Sequence, residues 1–225
     1  MTPQESEGHH TITISIPSGT KYAAHTHLLV EYSKYFKKAL KNDMEEARTR
    51  HFDLEIHATE ETLSLFIDWL YKQDDEDSVV LSWVKDEKLS SEFLIRVWLF
   101  ADYIQASNLQ NDMISLLCSY YNSNQPDFGK RLEELLLWNP PSGSGLYRLM
   151  IKEIARGLSN MCITNEEREE WLRMLDRETL YAVTRTILQR DVDLANEYAN
   201  NNINNVAPKY FNWSSTGKEF FEKTD

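Results

Sequence analysis

The side chains with the clearest potential for chemistry are two histidines, His25 and His27, and one aspartate, Asp102. Histidines spaced i, i+2 could supply two ligands to a metal ion, but a zinc site needs three or four. No Cys, Asp or Glu with ligand spacing accompanies them. We therefore expect His25 to be structural, ending a strand where a neutral imidazole can bond backbone groups. Asp102 could be a catalytic carboxylate, but we expect local capping or pairing, because buried carboxylates need partners.

Other patterns of catalysis or ion binding are weak or missing. His51 and His57 are too isolated from other ligands to predict a metal site. The acidic run at 74–77 lacks the alternating ligands and the glycine of a calcium-binding loop, so we predict a solvated loop. The sequence has no nucleophile elbow, no P-loop and no dinucleotide-binding glycine pattern, and the GSG at 143–145 has no phosphate-binding context. We expect a protein that is not an enzyme and needs no metal or cofactor.

Composition narrows the classes of partner. The chain has 225 residues, of which 41% are hydrophobic, so it can bury a core. Its net charge of −12 would repel phosphate backbones and anionic membrane surfaces, so we expect neither nucleic acid nor membrane as a partner. No secretory signal or membrane span is visible, and two distant cysteines, Cys118 and Cys162, fit a reducing compartment. We expect a cytoplasmic or nuclear protein, or one found in both compartments.

The first half of the chain mixes strand and helix patterns. Residues 11–16 alternate apolar and polar side chains, and Pro17-Ser18-Gly19 supplies a turn, so a hairpin with 21–24 is predicted. A helical period begins at His27 and continues to Leu40, and 51–56 reads as a third strand. Thr59 is a predicted N-cap. Further elements are a short strand at 79–81 and helices at 91–105 and 108–122.

The second half reads as entirely helical. A polar cluster that ends at Pro126 indicates a boundary. Helices are predicted at 128–138, from Leu146 to Leu158 and at 177–190. A capping box of Thr164 and Glu167 predicts the start of one more helix. The predicted organisation is a disordered leader at 1–10, a domain at 11–122, a helical extension at 123–199 and an Asn-rich, partly flexible tail at 200–225. The fold class is α+β followed by an all-α extension.

The order of these elements and their motif residues resemble a BTB/POZ domain. This chain is similar to the family's strand-to-helix signature between residues 22 and 36. The residues that carry the similarity are Tyr22, His25, Thr26, Leu28, Leu29, Ser33, Tyr35 and Phe36. The strand at 51–56, the helix ending in Trp69-Leu70-Tyr71, and Ala101-Asp102-Tyr103 ahead of Leu109 complete a match over residues 11–122. The Pro-rich loop and Leu-rich helix at 139–158 resemble the helical extension of fungal BTB proteins.

The resemblance implies a cluster of helices against a small sheet that serves as a platform for other proteins. Many members of the family form homodimers, and some are substrate adaptors that bind the cullin scaffold of ubiquitin ligases. Adaptors carry a hydrophobic-x-Glu element, which Met44-Glu45-Glu46 fits, although these residues also fit a solvated acidic helix end. The implied protein-binding residues are Met44, Glu46 and Tyr103. The residues of the implied fold signature are His25, Leu29, Ser33, Tyr35, Phe36, Ala101 and Asp102.

Two functions follow as expectations. The first is a protein-interaction module that acts as a cullin adaptor, and the alternative is a structural or regulatory protein that oligomerises without a ligase role. The aromatic residues of the tail remain open. They either dock back on the helical extension or form a short partner-binding motif, and docking is favoured because exposed apolar clusters reduce solubility. These residues are Tyr210, Phe211, Trp213, Phe220 and Phe221.

Overall fold

A computed structural model describes residues 11–42, 45–73, 90–123, 128–159 and 164–202. These residues divide into two compact units, one containing those up to Leu117 and the other those from Cys118. The leader, the acidic run at 74–77, the strand predicted at 79–81, and Met44 lie outside the described residues.

A three-stranded mixed sheet is the framework of the first unit. Strands β1 (Thr11–Ser15) and β2 (Lys21–His25) form the predicted antiparallel hairpin, and β3 (His51–Asp53) lies parallel to β1, giving the order β2-β1-β3. Gly19 closes the turn with a φ of +86°, a conformation that glycine adopts without strain. The third strand is shorter than the predicted 51–56, because β1 turns away at Pro17 and leaves no partner strand beyond Leu54.

Six helices lie wholly or partly in this unit among the described residues. They are α1 (Thr26–Tyr32), α2 (Lys34–Lys41), α3 (Glu45–Thr49), α4 (Glu60–Tyr71), α5 (Ser91–Tyr103) and α6 (Ser107–Ser123), which continues into the second unit. All of them except α3, which was not predicted as a separate helix, follow the predicted order with the hairpin and β3. Thr59 caps α4 as predicted, with Thr62 completing a reciprocal capping box. The single helical period predicted from His27 is wrong at one point, since Ser33 is extended and separates α1 from α2.

Aromatic side chains fill the core of this unit. Phe36 and Phe52 meet edge to face with ring centroids 5.0 Å apart, and Phe66 and Phe100 do so at 5.7 Å. Such pairs add to the stabilisation from burial alone, by about 0.5–1.5 kcal/mol each. The described residues therefore form the expected α+β arrangement, with large rings between the sheet and the helices.

The second unit is helical throughout its described part. After the end of α6 it contains α7 (Phe128–Trp138), α8 (Gly145–Leu158), α9 (Asn165–Met174) and α10 (Arg177–Asn202). The predicted capping box of Thr164 and Glu167 is present at the start of α9. Helix α10 continues past the end predicted at residue 190, because no glycine or proline interrupts the sequence before Pro208. No described helix combines the length and the apolar composition that crossing a membrane requires.

Candidate functional site

Of the three residues predicted to bind a partner, Tyr103 contacts Tyr35 and Glu46 acts on Tyr35 through its charge. Glu46 lies half-buried in the first turn of α3, and Tyr103 is the half-buried last residue of α5. The rings of Tyr35 and Tyr103 are 5.6 Å apart, a hydrogen bond joins their hydroxyls, and the charge of Glu46 acts on Tyr35. Residues that are far apart in the sequence thus form one surface, the Glu46–Tyr103 face, which comprises Tyr35, Glu46 and Tyr103. The third predicted residue, Met44, lies outside the described residues.

A junction between two helix ends holds this face in place. The N-terminus of α2 has unpaired backbone amides, and the chain just after α5 offers carbonyl oxygens. The amides of Lys34 and Tyr35 donate to the carbonyls of Gln105 and Ile104, at 3.3 and 3.4 Å. The Ser33 hydroxyl accepts from the Phe36 amide at 3.3 Å and donates to the Ile104 carbonyl at 2.6 Å. Each helix end therefore caps the other, which brings Tyr35 against Tyr103.

Replacing Ser33 with alanine should lower the free energy of unfolding by about 1–2 kcal/mol, because it removes an N-cap and a buried hydrogen bond. Urea unfolding followed by circular dichroism measures this change. Ser64→Ala is the matched control, since Ser64 is exposed on α4 and its loss should change stability by less than about 0.5 kcal/mol. Equal effects of the two variants would show that the junction does not stabilise the fold.

Tyr35 is held in its neutral, hydrogen-bonding form. Burial, the neighbouring Tyr103 and the charge of Glu46, in that order, raise the pKa of Tyr35 to about 12. A phenol in this state presents an O–H donor and an apolar ring at physiological pH. Tyrosine is enriched in protein interfaces because it combines these two properties.

This pKa predicts an alkaline titration. The unfolded chain loses the Tyr35 proton near the ordinary value of 10.0, whereas the folded protein keeps it until about 12, so this group's contribution to stability is lost as pH rises through that window. Absorbance of tyrosinate in the protein minus that in Tyr35→Phe should rise with a midpoint near 12. Tyr103→Phe should shift the midpoint downward. A difference curve centred on 10.0, the ordinary value, would contradict the geometry.

A polar cluster that the sequence analysis did not predict adjoins this face. An open hollow is lined by Glu45, Glu46 and Thr49 of α3 and by His51 and Asp53 of β3. Nε2 of His51 lies 3.0 Å from the Asp53 carboxylate and 3.0 Å from the hydroxyl of Ser15 on β1. The signal in the sequence was the alternation of 51–56, which puts residues 51 and 53 on the same side of the strand.

The composition of this cluster is that of a hydrolytic triad, but its geometry is different. In a Ser-His-Asp triad the carboxylate holds one ring nitrogen while the other takes the proton of the serine. Here the carboxylate of Asp53 and the hydroxyl of Ser15 both meet Nε2 of His51. A single nitrogen cannot accept the serine proton and donate to the carboxylate together, so this arrangement is suited to holding β3 beside β1.

Of the three side chains with the clearest potential for chemistry, His25 and Asp102 make local hydrogen bonds, and His27 is exposed with its ring centroid 5.7 Å from that of His25. His25 ends β2, as expected, and its Nδ1 lies 2.7 Å from the hydroxyl of Tyr71, a side chain rather than a backbone group. Asp102 pairs locally, as expected, by accepting a hydrogen bond from Gln110 at 3.0 Å. Asp102 is exposed, however, so burial is not the reason for its pairing. No group of three or more metal-ligating side chains occurs among the described residues.

The remaining signature residues lie in the core of the first unit. Leu29, Phe36 and Ala101 are fully buried, and the amide of Ala106 donates to the Ala101 carbonyl at 2.8 Å. They position the Glu46–Tyr103 face from behind. A scan against protein-family models and a search of the curated proteins found no match to this chain.

Proposed function

We propose that this protein is a protein–protein interaction module of the BTB/POZ type, and that its first unit docks partners through the Glu46–Tyr103 face. The observation that carries the proposal is the contact between the rings of Tyr35 and Tyr103, close enough to Glu46 for its charge to act on Tyr35. The face offers a carboxylate, two phenol hydroxyls and aromatic surface. These groups suit a partner that brings apolar side chains together with hydrogen-bond donors or a positive charge.

The architecture of the first unit supports the proposal. A hairpin, three short helices, a third strand and a longer helix follow one another along the chain, which agrees with the order of hairpin, helical segment, strand and helix on which the family resemblance rests. Leu29, Phe36 and Ala101 of the resemblance lie in the core, and Ser33 lies at the junction of α1 and α2, as expected for side chains that maintain a platform. The strongly negative net charge of −12 disfavours nucleic acid as the partner.

The finer proposal is that the protein is a substrate adaptor for a cullin-based ubiquitin ligase. Its support is the Met44-Glu45-Glu46 element, since Glu45 and Glu46 line the open hollow and the charge of Glu46 acts on Tyr35. In an adaptor, the cullin would contact α3 and the end of α5 together. Substrates would then be bound elsewhere on the chain.

Binding of the purified protein to a cullin N-terminal domain, measured by calorimetry, tests this proposal. Glu46→Lys and Tyr103→Ala should each weaken binding by about tenfold or more, the loss typical of a hot-spot residue. Met44→Ala should weaken it as well. The matched controls are Glu61→Lys and Tyr181→Ala, which change an exposed glutamate on α4 and an exposed tyrosine on α10. No binding by the unmodified protein, or equal losses in the controls, would contradict the adaptor role.

Light scattering on the same samples tests the alternative, a structural or regulatory protein that oligomerises without a ligase role. That alternative predicts a concentration-dependent dimer, and a strict monomer at high concentration would remove it. Glu46 is not part of the buried core, so Glu46→Lys should leave the fold intact. Circular dichroism on the same samples therefore separates a change in cullin binding from a loss of folding.

A further inference from the structure

Helix α10 has an apolar face that points away from its own unit. Tyr181, Leu188 and Val192 are 69%, 60% and 53% exposed, and their i, i+7, i+11 spacing aligns them along one side of the helix. The opposite side, which includes buried Thr179 and Val183, belongs to the face that packs against α8. We call the exposed set of Tyr181, Leu188 and Val192 the α10 stripe.

No described residue covers the α10 stripe. Leu188 and Val192 are one turn apart and therefore adjacent on the helix surface, and Tyr181 lies on the same side two turns before them. Neighbouring exposed apolar side chains can mark a contact surface. A helix with apolar residues on two opposite sides is typical of one packed between two neighbours. Helix α8 is one neighbour, so the stripe requires a second.

The sequence that follows α10 is rich in aromatic residues, as expected of a segment that packs on an apolar surface. After Asn202, the sequence brings three aromatic residues together at Tyr210, Phe211 and Trp213. Residues 203–218 contain two lysines and no Asp or Glu, in a protein of net charge −12. Segments without a packing partner are typically poor in aromatic residues, so this composition indicates one that binds a surface.

The segment has the reach to return to the stripe. Val192 lies ten residues before the end of α10, a distance of about 15 Å along the helix axis. The eight residues from Ile203 to Tyr210 span up to about 27 Å when extended, and Pro208 and the asparagines favour a reversal. A tether of this length keeps the segment at an effective concentration on the order of mM. Asp191 and Asp193 are exposed beside Val192, and their charge is opposite to that of Lys209.

We propose that residues 209–213 fold back onto α10 within the same molecule and cover Leu188 and Val192 with Tyr210, Phe211 and Trp213. The contact buries an apolar surface that would otherwise promote association of copies. It is independent of the Glu46–Tyr103 face, so either proposal can fail without the other.

Fluorine NMR of the full chain labelled with 5-fluorotryptophan tests the contact. The Trp213 resonance is assigned by its loss in Trp213→Phe, and its shift between H2O and D2O reports exposure of the indole to solvent. We expect a small solvent shift in the unmodified protein. Leu188→Asn, Val192→Asn and Tyr210→Ser should each raise it toward the value of an exposed indole.

Leu137→Asn is the matched control, because Leu137 is a 72% exposed leucine on α7 and lies outside the stripe. It should leave the Trp213 resonance unchanged. These substitutions are at exposed positions, so circular dichroism should show retained helix in every variant. A fully exposed Trp213 in the unmodified protein would overturn the proposal, as would protection insensitive to the stripe variants. Protection that appears only at high protein concentration would assign the stripe to a second copy instead, and would also overturn it.

Discussion

Replacing Glu153 with alanine is expected to lower the free energy of unfolding of the second unit by about 3–5 kcal/mol, the cost of breaking a buried ion pair from one side. Glu153 on α8 is 4% exposed. One of its oxygens accepts hydrogen bonds from the guanidinium of Arg131 on α7 and, at 2.6 Å, from that of Arg156 on α8. Without this carboxylate, two positive charges lose their shared partner, that of Arg131 in a buried position and that of Arg156 in a partly buried one.

The cluster around Glu153 contains two positive and two negative side chains. The guanidinium of Arg131 lies 4.1 Å above the ring of Tyr121, whose hydroxyl donates to Glu134 at 3.1 Å. Burial, followed by repulsion from Arg156, lowers the pKa of Arg131 to about 10, so it remains charged at neutral pH. The balance of charge is what makes removal of a single member costly.

Two variants complete the experiment, in which urea unfolding is followed by circular dichroism. Glu133→Ala removes an exposed glutamate on α7, and should change the free energy of unfolding by less than about 0.5 kcal/mol. The double variant Arg131→Met with Glu153→Leu removes one charge of each sign, and it should be less destabilised than Glu153→Ala alone. A double variant that is more destabilised than the single one would contradict this account.

Local signals in the sequence predicted most elements of the fold. The alternation at 11–16, the turn at Pro17-Ser18-Gly19 and the caps at Thr59 and Thr164 depend on side chains within a few residues of one another. For this reason the hairpin, α4 and α9 begin where the sequence predicts. The period of apolar residues in α8 likewise predicted the residues that face its core.

Features that depend on distant residues could not be predicted in the same way. The break at Ser33 exists because its hydroxyl meets the carbonyl of Ile104, which lies 71 positions along the chain. The helical period runs through this point, and its local sign of interruption is Ser33 itself, a residue type preferred at helix N-caps. The ion cluster around Glu153 is visible in the sequence only in part. Glu153 lies among apolar residues on the buried face of α8, but its partner on α7, Arg131, is known only from the fold.

The candidate site was also predictable only where it depends on nearby residues. The resemblance pointed to Glu46 and Tyr103, but the contact that unites them passes through Tyr35, which the resemblance assigned to the fold signature. The pairing of Ser15, His51 and Asp53 requires the parallel register of β1 and β3, which the sequence did not reveal.

Replacing Trp69 with phenylalanine should lower the free energy of unfolding at neutral pH by about 2–4 kcal/mol, through loss of buried volume and of a hydrogen bond to a carboxylate. Trp69 of α4 is fully buried, and its Nε1 donates to the carboxylate of Asp112 on α6 at 2.8 Å. Trp98→Phe is the matched control, since Trp98 is also fully buried but its Nε1 has no acceptor among the described residues. The difference between the two variants measures the hydrogen bond.

The effect of Trp69→Phe should also depend on pH, in a direction set by Asp112. Burial raises the pKa of Asp112 above its ordinary value of 3.8, and the bond from Trp69 opposes that rise. The folded protein therefore holds this proton more tightly than the unfolded chain, and the stability that results is lost as pH rises through the raised pKa. Without the Trp69 donor the pKa rises further, so the cost should be larger at about pH 7 than at about pH 3.5. In an Asp112→Asn background, where this group cannot titrate, the pH dependence of the cost should disappear. A cost that is equal at both pH values in the parent protein would mean that the Trp69–Asp112 bond does not stabilise the ionised carboxylate.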